Sequence, residues 1–182
     1  MTGQANSGMT PYEAILTKRD TRRFAQRPIP DDVLRRILQA GRMAGSAKAA
    51  EPVRFVVVRE QAQKEALASC GLYTPHLPAC AVAVVLVLEP ELGELGAPLS
   101  IFRGPFDAGR AAQNMMLAAW AEGVTSCPVS LHHGDRATEV LGLPEGHVVA
   151  NVITFGYPEG VEAGRAPRPR RPFEEYVHWE RW

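Results

Sequence analysis

Apolar residues recur along the chain at two spacings, one typical of strands and one typical of helices. Residues 81–88 and 148–155 are apolar at nearly every position. A strand that is apolar on both faces must be covered on both faces, so both runs are predicted to be inner strands of a sheet. Apolar runs at residues 54–58 and 124–129 predict two further strands, the second of them a strand or an extended turn.

Helical signals lie before and between these runs. Residues 10–13 (TPYE) have the pattern of a capping box with proline at the first helical position, which predicts a helix to about Lys18. Residues 106–122 are apolar on nearly every face, which predicts a helix buried on all sides in the core or in a dimer interface. Further helices are predicted at residues 31–43, 61–69 and 135–141.

Helices and strands therefore alternate, which predicts an α+β or α/β three-layer domain with four or five strands. A chain of 182 residues most naturally forms one domain with a substantial core, and we assign residues 10–182 to it. Its tail, residues 159–182, is too polar to make a core of its own. The tail nevertheless holds aromatic residues that are unusual in a disordered segment, so we expect it to lie across its own or a partner's surface. These aromatic residues are Phe173, Tyr176, Trp179 and Trp182.

Composition excludes several classes of protein. With 46% hydrophobic and 22% charged residues, the chain has the composition of an ordinary soluble globular protein. Its net charge is zero, so no overall field attracts nucleic acid or a membrane surface. Three cysteines without a C-x-x-C pair favour a reducing, cytoplasmic location. No secretory signal is recognised in residues 1–10, and no apolar run approaches the roughly 20 residues that span a bilayer.

Cations cluster at two places that are far apart in the sequence. Residues 18–23 read KRDTRR, and residues 168–171 read RPRR. A phosphate monoester carries roughly −1.5 to −2 charges near neutral pH, and arginine forks match its oxygens. We hypothesise that the two clusters form a clamp around one phosphorylated cofactor. A solvated basic turn is the alternative.

Sequence motifs for other chemistries are not found. There is no G-x-G-x-x-G, no P-loop and no G-x-S-x-G. His132 and His133 are adjacent and so do not share a face of a helix or strand, which argues against a metal site. Cys127 lies in an apolar stretch without a local base, which favours a buried thiol over a nucleophile. The residues alone predict a binder of a phosphorylated small molecule without visible acid–base groups.

Seven segments, in order along nearly the whole chain, carry a recognisable pattern: residues 18–24, 44–58, 111–114, 123–129, 141–146, 156–158 and 168–175. Together these segments resemble the nitroreductase-like flavoprotein family. The resemblance implies an α+β, three-layer fold in which helices flank a mostly antiparallel sheet of four or five strands. It also implies an intertwined homodimer, which forms through the long helix and exchanges the tail, residues 159–182.

The same resemblance implies one FMN in each of two sites at the dimer interface. Lys18 and Arg19 would contact its phosphate and ribityl region together with Arg168 and Arg170. Arg22 would reach the pyrimidine edge of the ring. A cation at that edge stabilises the anionic reduced flavin and so tunes its potential.

Further positions follow from the resemblance. Ser46 would line the flavin ring, and the backbone of Pro128, Val129 and Ser130 would face its reactive side. Asp20 stands where the family usually has serine. An ionised aspartate cannot donate to phosphate.

The loop before the first strand departs from the family pattern. Family members usually have Pro at Gly45, Asn at Ala49 and Gln-Pro-Trp at residues 51–53. Losing the asparagine amide removes a hydrogen bond worth about 0.5–1.5 kcal/mol. Glu51 adds negative charge close to a flavin that becomes negative on reduction. Both changes are expected to weaken FMN binding or to lower its potential.

The implied activity is that of an FMN-dependent oxidoreductase. Electrons would pass from NAD(P)H through the flavin to a small conjugated acceptor, such as a nitro-aromatic or a quinone, in a ping-pong cycle without a protein acid or base. Ala49 and Glu51 motivate an alternative, a flavin-binding or flavin-storing protein with little catalysis. Residues 127–129 are similar to a stretch of cyclic-dipeptide oxidases, so oxidation of a natural product is a further alternative. The last alternative is a dimeric interaction protein that binds no cofactor.

Overall fold

The structure is a computed structural model that describes residues 8–46, 49–90, 103–160 and 169–182. Within these ranges the helices are α1 Pro11–Thr17, α2 Asp31–Arg42, α3 Gln61–Ala68, α4 Arg103–Ala121 and α5 Gly134–Leu141. The strands are β1 Val53–Val58, β2 Val82–Leu88, β3 Thr125–Val129 and β4 Val148–Gly156. No helix in the described ranges is both long and apolar enough to cross a membrane. Residues 89–104, whose glycines and prolines predict an irregular segment, lie mostly outside them.

The four strands form one antiparallel sheet in the order β1-β2-β4-β3. The two long apolar runs are the inner strands, as predicted, because only an inner strand is covered on both faces. All seven residues of β2 are buried. The antiparallel pairing decides between the two predicted fold classes in favour of α+β.

Helices cover both faces of the sheet. Val84 of β2 and Ile37 of α2 belong to the core on one side, together with Met115 of α4. Val85 of β2 and Leu67 of α3 belong to the core on the other side, which α5 completes. Successive side chains of a strand point to opposite faces, so β2 serves both cores. The predicted three-layer architecture is confirmed.

Helix α1 begins as its sequence predicts. The Thr10 backbone N–H donates to the Glu13 carboxylate at 2.7 Å, and the Glu13 N–H donates to the Thr10 hydroxyl at 3.2 Å. This reciprocal cap satisfies two donors that a helix start otherwise leaves free. The Trp120 indole N–H donates to the Thr17 hydroxyl at 3.0 Å and ties the end of α1 to α4. Lys18 is therefore the residue at which the chain leaves the helix.

Helix α4 differs from its prediction in two ways. It begins three residues early, at Arg103, because Pro105 is tolerated in a first helical turn. In addition, one face of the helix is exposed in the single chain. Its exposed face carries polar or small residues besides the 67% exposed Phe106. These residues are Gly109, Arg110, Gln113 and Asn114.

The described part of the tail packs little against the rest of the chain. The hydrogen bonds recorded for residues 169–182 join neighbours within this segment. His178 and Trp182 stack with their ring centroids 4.3 Å apart. Phe173 and Trp179 are 65% and 75% exposed. The tail aromatics therefore gain little burial from the described part of their own chain.

Candidate functional site

Residues 18–27 form an extended segment, here called the basic arm, that lies against the ends of β3 and β4. The Thr21 N–H donates to the Ser126 carbonyl at 3.1 Å. Asp20 and Ser126 form an isolated parallel bridge at the same place. The arm therefore carries the predicted phosphate-binding cations to the edge of β3.

A buried aromatic residue anchors the far end of the arm. Phe24 is only 5% exposed and pairs with Pro158 after β4. An added Cβ on Gly156 would stand 2.7 Å from the Phe24 ring, so only glycine leaves room for it. The Arg27 guanidinium lies over the Tyr157 ring at 3.8 Å from its centroid. These contacts fix the path of the arm.

Lys18 and Arg19, which are predicted to contact the cofactor, are both engaged within the protein. The Lys18 side chain is 12% exposed and its ammonium group donates to the Asp20 carboxylate. The Arg19 guanidinium donates to the carbonyls of Leu16 at 2.9 Å and Lys18 at 2.8 Å, at the end of α1. A bound phosphate would therefore compete with Asp20 for Lys18.

Arg22 is exposed, and its charge acts on two buried neighbours. Burial lowers the pKa of His76, and the positive charge of Arg22 lowers it further. Burial raises the pKa of the Cys127 thiol, although Arg22 and Lys18 act in the opposite direction. Cys127 is 1% exposed, which confirms its interpretation as a buried thiol.

Two buried polar groups near the arm have no hydrogen-bond partner among the described residues. They are the Ser126 hydroxyl and both ring nitrogens of His76. Buried polar groups are normally paired, so each calls for a water or a ligand group. Unpaired polar atoms beside several cations fit a phosphorylated, hydrogen-bonding cofactor such as FMN. The sequence pattern does not single out either residue, because nothing local marks His76 or Ser126 as buried.

The end of β3 offers an open edge. β3 pairs with β4 on one side, and in the described ranges the arm meets its other side only at Ser126. Pro128 and Ser130 are exposed, whereas the Val129 side chain is 3% exposed and belongs to the core. Val129 could thus contact a ligand only through its backbone.

Ser46 lies elsewhere, in a groove of about 960 Å³ between α2, the following loop and β1. Apolar side chains such as Leu38 and Phe55 line this Ser46 groove, together with exposed Arg35 and Arg42. The Ser46 hydroxyl accepts the Glu51 N–H at 2.8 Å. Among the described residues, no other predicted site residue lines the groove.

Contacts along α4 separate the groove from the arm. Gly45, next to Ser46, lies against Arg110, whose guanidinium would be 2.5 Å from an added Cβ. The Lys18 ammonium group lies 3.5 Å from the sulfur of Met116. The two contact points are about 9 Å apart along the helix axis. No residue of the arm lines the Ser46 groove, so one chain presents the two as distinct surfaces.

The loop that carries Ser46 holds an uncommon backbone. Ala49 and Glu51 have φ values of 53° and 48°. This left-handed region disfavours residues with a Cβ and favours glycine or asparagine. The sequence gives no direct signal of this conformation, apart from the family preference for asparagine at position 49.

The second half of the predicted clamp is not joined to the first in the described residues. Arg168 lies outside the described ranges. Arg170 is exposed, in the tail segment that hydrogen-bonds locally. The meeting of Arg168 and Arg170 with the arm therefore stays a prediction.

The sequence profile of the Nitroreductase family matches residues 15–86 and 70–157. The two matches cover the whole arm and the whole sheet, and the chain belongs to the Nitroreductase family. It is 31% identical to an NADH dehydrogenase from Thermus thermophilus, over an alignment that covers 91% of this chain and 94% of the relative. The predicted family is thereby confirmed.

Solved structures share the fold. The NADPH:FMN oxidoreductase from Vibrio harveyi, solved in complex with NAD+, has a TM-score of 0.83 and 26% identity, covering 94% of this chain and 77% of that chain. A protein from Desulfovibrio desulfuricans described as a candidate nitroreductase, solved in complex with FMN, has a TM-score of 0.82 and 25% identity. That match covers 96% of this chain and 98% of that chain. The predicted nitroreductase-like fold is confirmed.

Proposed function

We propose that this protein is an FMN-dependent oxidoreductase that passes electrons from NAD(P)H to a small conjugated acceptor, such as a nitro-aromatic or a quinone. The observation that carries the proposal is the contact of the basic arm with β3 at Ser126, on the same side of the strand as its open edge. The names of the relatives support it, since they include an NADH dehydrogenase and an NADPH:FMN oxidoreductase.

The residues of the site would bind and orient the cofactor. When bound, FMN would supply the redox chemistry of a ping-pong cycle between NAD(P)H and a second substrate. Lys18 and Arg19 would hold its phosphate, with Arg168 and Arg170 as further donors. The exposed Arg22 stabilises negative charge at the pyrimidine edge. The Cys127 thiol, with its raised pKa, has no assigned part in the proton transfers.

A second copy of the chain would complete each site. Ser46 and the arm are separate surfaces of one chain, so Ser46 reaches a flavin held by the arm of another chain. Helix α4 has an exposed face for such an interface, and α1 exposes Ile15 and Leu16 beside it. The tail, residues 159–182, would cross to the partner and bury its aromatic side chains there. We therefore propose an intertwined homodimer.

The absorbance spectrum of the purified protein tests the proposal. We expect a yellow protein that releases one FMN per chain on denaturation and bleaches rapidly with NADH or NADPH under anaerobic conditions. A colourless protein that binds no added FMN would overturn the proposal. A yellow protein that NAD(P)H does not bleach would instead be a flavin-binding or flavin-storing protein, which Ala49 and Glu51 motivate.

Substitution of two arginines tests the clamp. Arg22→Ala combined with Arg170→Ala should leave a folded dimer and lower FMN affinity about 100-fold or more, because each charge-assisted hydrogen bond contributes about 1.5–3 kcal/mol. Equilibrium dialysis with FMN measures the loss. The matched control, Arg59→Ala with Arg136→Ala, removes two exposed arginines outside the site and should bind FMN normally. Stoichiometric FMN in the Arg22 and Arg170 variant would refute the clamp.

A further inference from the structure

A turn at residues 70–77 is fastened to the segment that follows β3. The backbone N–H groups of His132 and His133 both donate to the Cys70 carbonyl at 3.0 Å. In return, the Leu72 N–H donates to Nδ1 of His132 at 3.1 Å. These three hydrogen bonds join the turn directly to the chain that leaves the sheet.

The same turn lies beside the end of β3 and is held there by hydrogen bonds. An added Cβ on Gly71 would stand 3.3 Å from the Ser130 carbonyl oxygen. The Thr74 hydroxyl lies within hydrogen-bond distance of the carbonyls of Ala68, at 2.6 Å, and Gly71, at 3.1 Å. The turn is therefore held next to Ser130, where the backbone proposed to face the flavin ends.

Two large apolar side chains are exposed on this hydrogen-bonded turn. Leu72 and Tyr73 are 68% and 76% exposed. The Tyr73 ring lies 5.7 Å from the His132 ring at an angle of 59°. Because Nδ1 of His132 accepts a hydrogen bond, the proton of the neutral ring lies on Nε2. A tyrosine on a fixed backbone offers a large contact area at a small cost in conformational entropy.

The other end of the turn extends towards the basic arm. His76 is buried there, and the charge of Arg22 contributes to the lowering of its pKa. The turn therefore spans from the neighbourhood of Arg22 to Ser130. Arg22 is predicted to meet the pyrimidine edge of the flavin and Ser130 its reactive side, so the turn would form a wall between the two.

We propose that Tyr73, supported by the His132 ring, is a specificity-determining residue that stacks against flat conjugated acceptors at the flavin site. This inference rests on the proposed function, because it requires a flavin beside Ser130. Aromatic pairs prefer offset or tilted arrangements with centroids about 4.5–7 Å apart. The Tyr73 ring already meets His132 in this way and remains mostly exposed for a second contact. The favoured acceptors are flat aromatic or quinone molecules rather than compact ions.

Rapid mixing of reduced enzyme with two acceptors tests this role. FMN-loaded wild type, Tyr73→Ala and Tyr73→Phe are reduced anaerobically with NADPH or NADH. Each is then mixed with menadione, a flat quinone, or with ferricyanide, an octahedral ion. We expect half-saturation by menadione to require about two to ten times more acceptor in Tyr73→Ala. Tyr73→Phe keeps the ring and should behave as wild type, and ferricyanide should reoxidise all three proteins at equal rates.

The outcomes separate this inference from the proposed function. Unchanged menadione saturation in Tyr73→Ala, or an equal loss with both acceptors, would overturn the role of Tyr73 while the flavoenzyme stands. Wild-type protein that lacks FMN, or that NAD(P)H does not bleach, would overturn the proposed function itself. FMN content, measured by absorbance, should be the same in all three proteins.

Discussion

At the scale of single residues, the loop before β1 holds two side chains in a backbone conformation that suits them poorly. Ala49 and Glu51 both have positive φ values, and neither is glycine. A left-handed backbone costs an L-residue about 1–2 kcal/mol, and asparagine tolerates it better than alanine. The asparagine that family members usually have at position 49 would suit this backbone, and its amide would be able to hydrogen-bond to the cofactor. This chain has alanine there and lacks both features.

Ala49→Asn and Ala49→Gly separate these two effects. Both should raise the free energy of unfolding by about 0.5–1 kcal/mol, because both relieve the left-handed backbone. Only Ala49→Asn should also tighten FMN binding, by about two- to tenfold, because it restores an amide that can hydrogen-bond to the cofactor. Urea denaturation measures the first effect, and quenching of FMN fluorescence the second. Equal tightening in the glycine variant would assign the gain to the backbone instead.

At the scale of elements, the turn at residues 70–77 should make the free energy of unfolding depend on pH. His76 is buried in it without a hydrogen-bond partner among the described residues, and its folded pKa lies below the usual 6.5. Below about pH 6.5 the unfolded chain therefore binds a proton at His76 that the folded chain does not. Stability is fully present above this pH and is lost as the pH falls.

Replacing His76 by leucine should remove this dependence. In the window just below about pH 6.5, the free energy of unfolding of the wild type should fall as the pH falls, by up to about 1.4 kcal/mol per pH unit from this group alone. His76→Leu should show a shallower fall, which urea denaturation at several pH values would detect. Glu13 and Asp32 also have lowered pKa values, but they titrate below this window. Parallel profiles for the two proteins would contradict the assignment.

Most elements were predictable because their signals are local. The uninterrupted apolar runs identify β2 and β4 as inner strands, and the Thr10–Glu13 cap fixes the start of α1. The exposed face of helix α4 was not predictable, because glycine and alanine occur on both buried and exposed faces of a helix. Its true exposed face depends on which neighbours pack against it.

In the candidate site, charged residues that cluster in the sequence can be predicted, but residues that become notable only through their packing cannot. The cations of the basic arm stand out in the sequence, whereas His76 and Ser126 become notable only through burial. The family resemblance places Ser46 and the arm at one flavin, whereas no arm residue lines the Ser46 groove in one chain. Such distances depend on contacts far apart in sequence, which a local pattern does not contain.

At the scale of the whole molecule, the exposed tail aromatics argue for a second copy of the chain. Trp179 and Trp182 are 75% and 101% exposed, and the contacts described for the tail are local. Burying large aromatic side chains contributes about 1.5–3 kcal/mol each, which a partner surface could supply. Polar tails usually lack such residues.

Trp179→Ala combined with Trp182→Ala should weaken the proposed dimer. We expect wild type to sediment as a dimer, and the double variant to shift towards monomer at micromolar concentrations, because it loses the buried indoles. Analytical ultracentrifugation measures both. Val148→Ser removes an exposed apolar side chain of β4 and serves as the control, with no expected change in assembly. A wild type that is monomeric while holding stoichiometric FMN would rule out a shared site.

The separation of the Ser46 groove from the basic arm bears on genetics as well as chemistry. A protomer damaged in its groove still carries a sound arm, and a protomer damaged in its arm still carries a sound groove. If the proposed homodimer forms in a cell that produces both, a mixed pair would contain one undamaged centre, built from the intact arm of one chain and the intact groove of the other. Two inactive alleles would then complement each other, which is not expected of an enzyme whose centre lies within one chain.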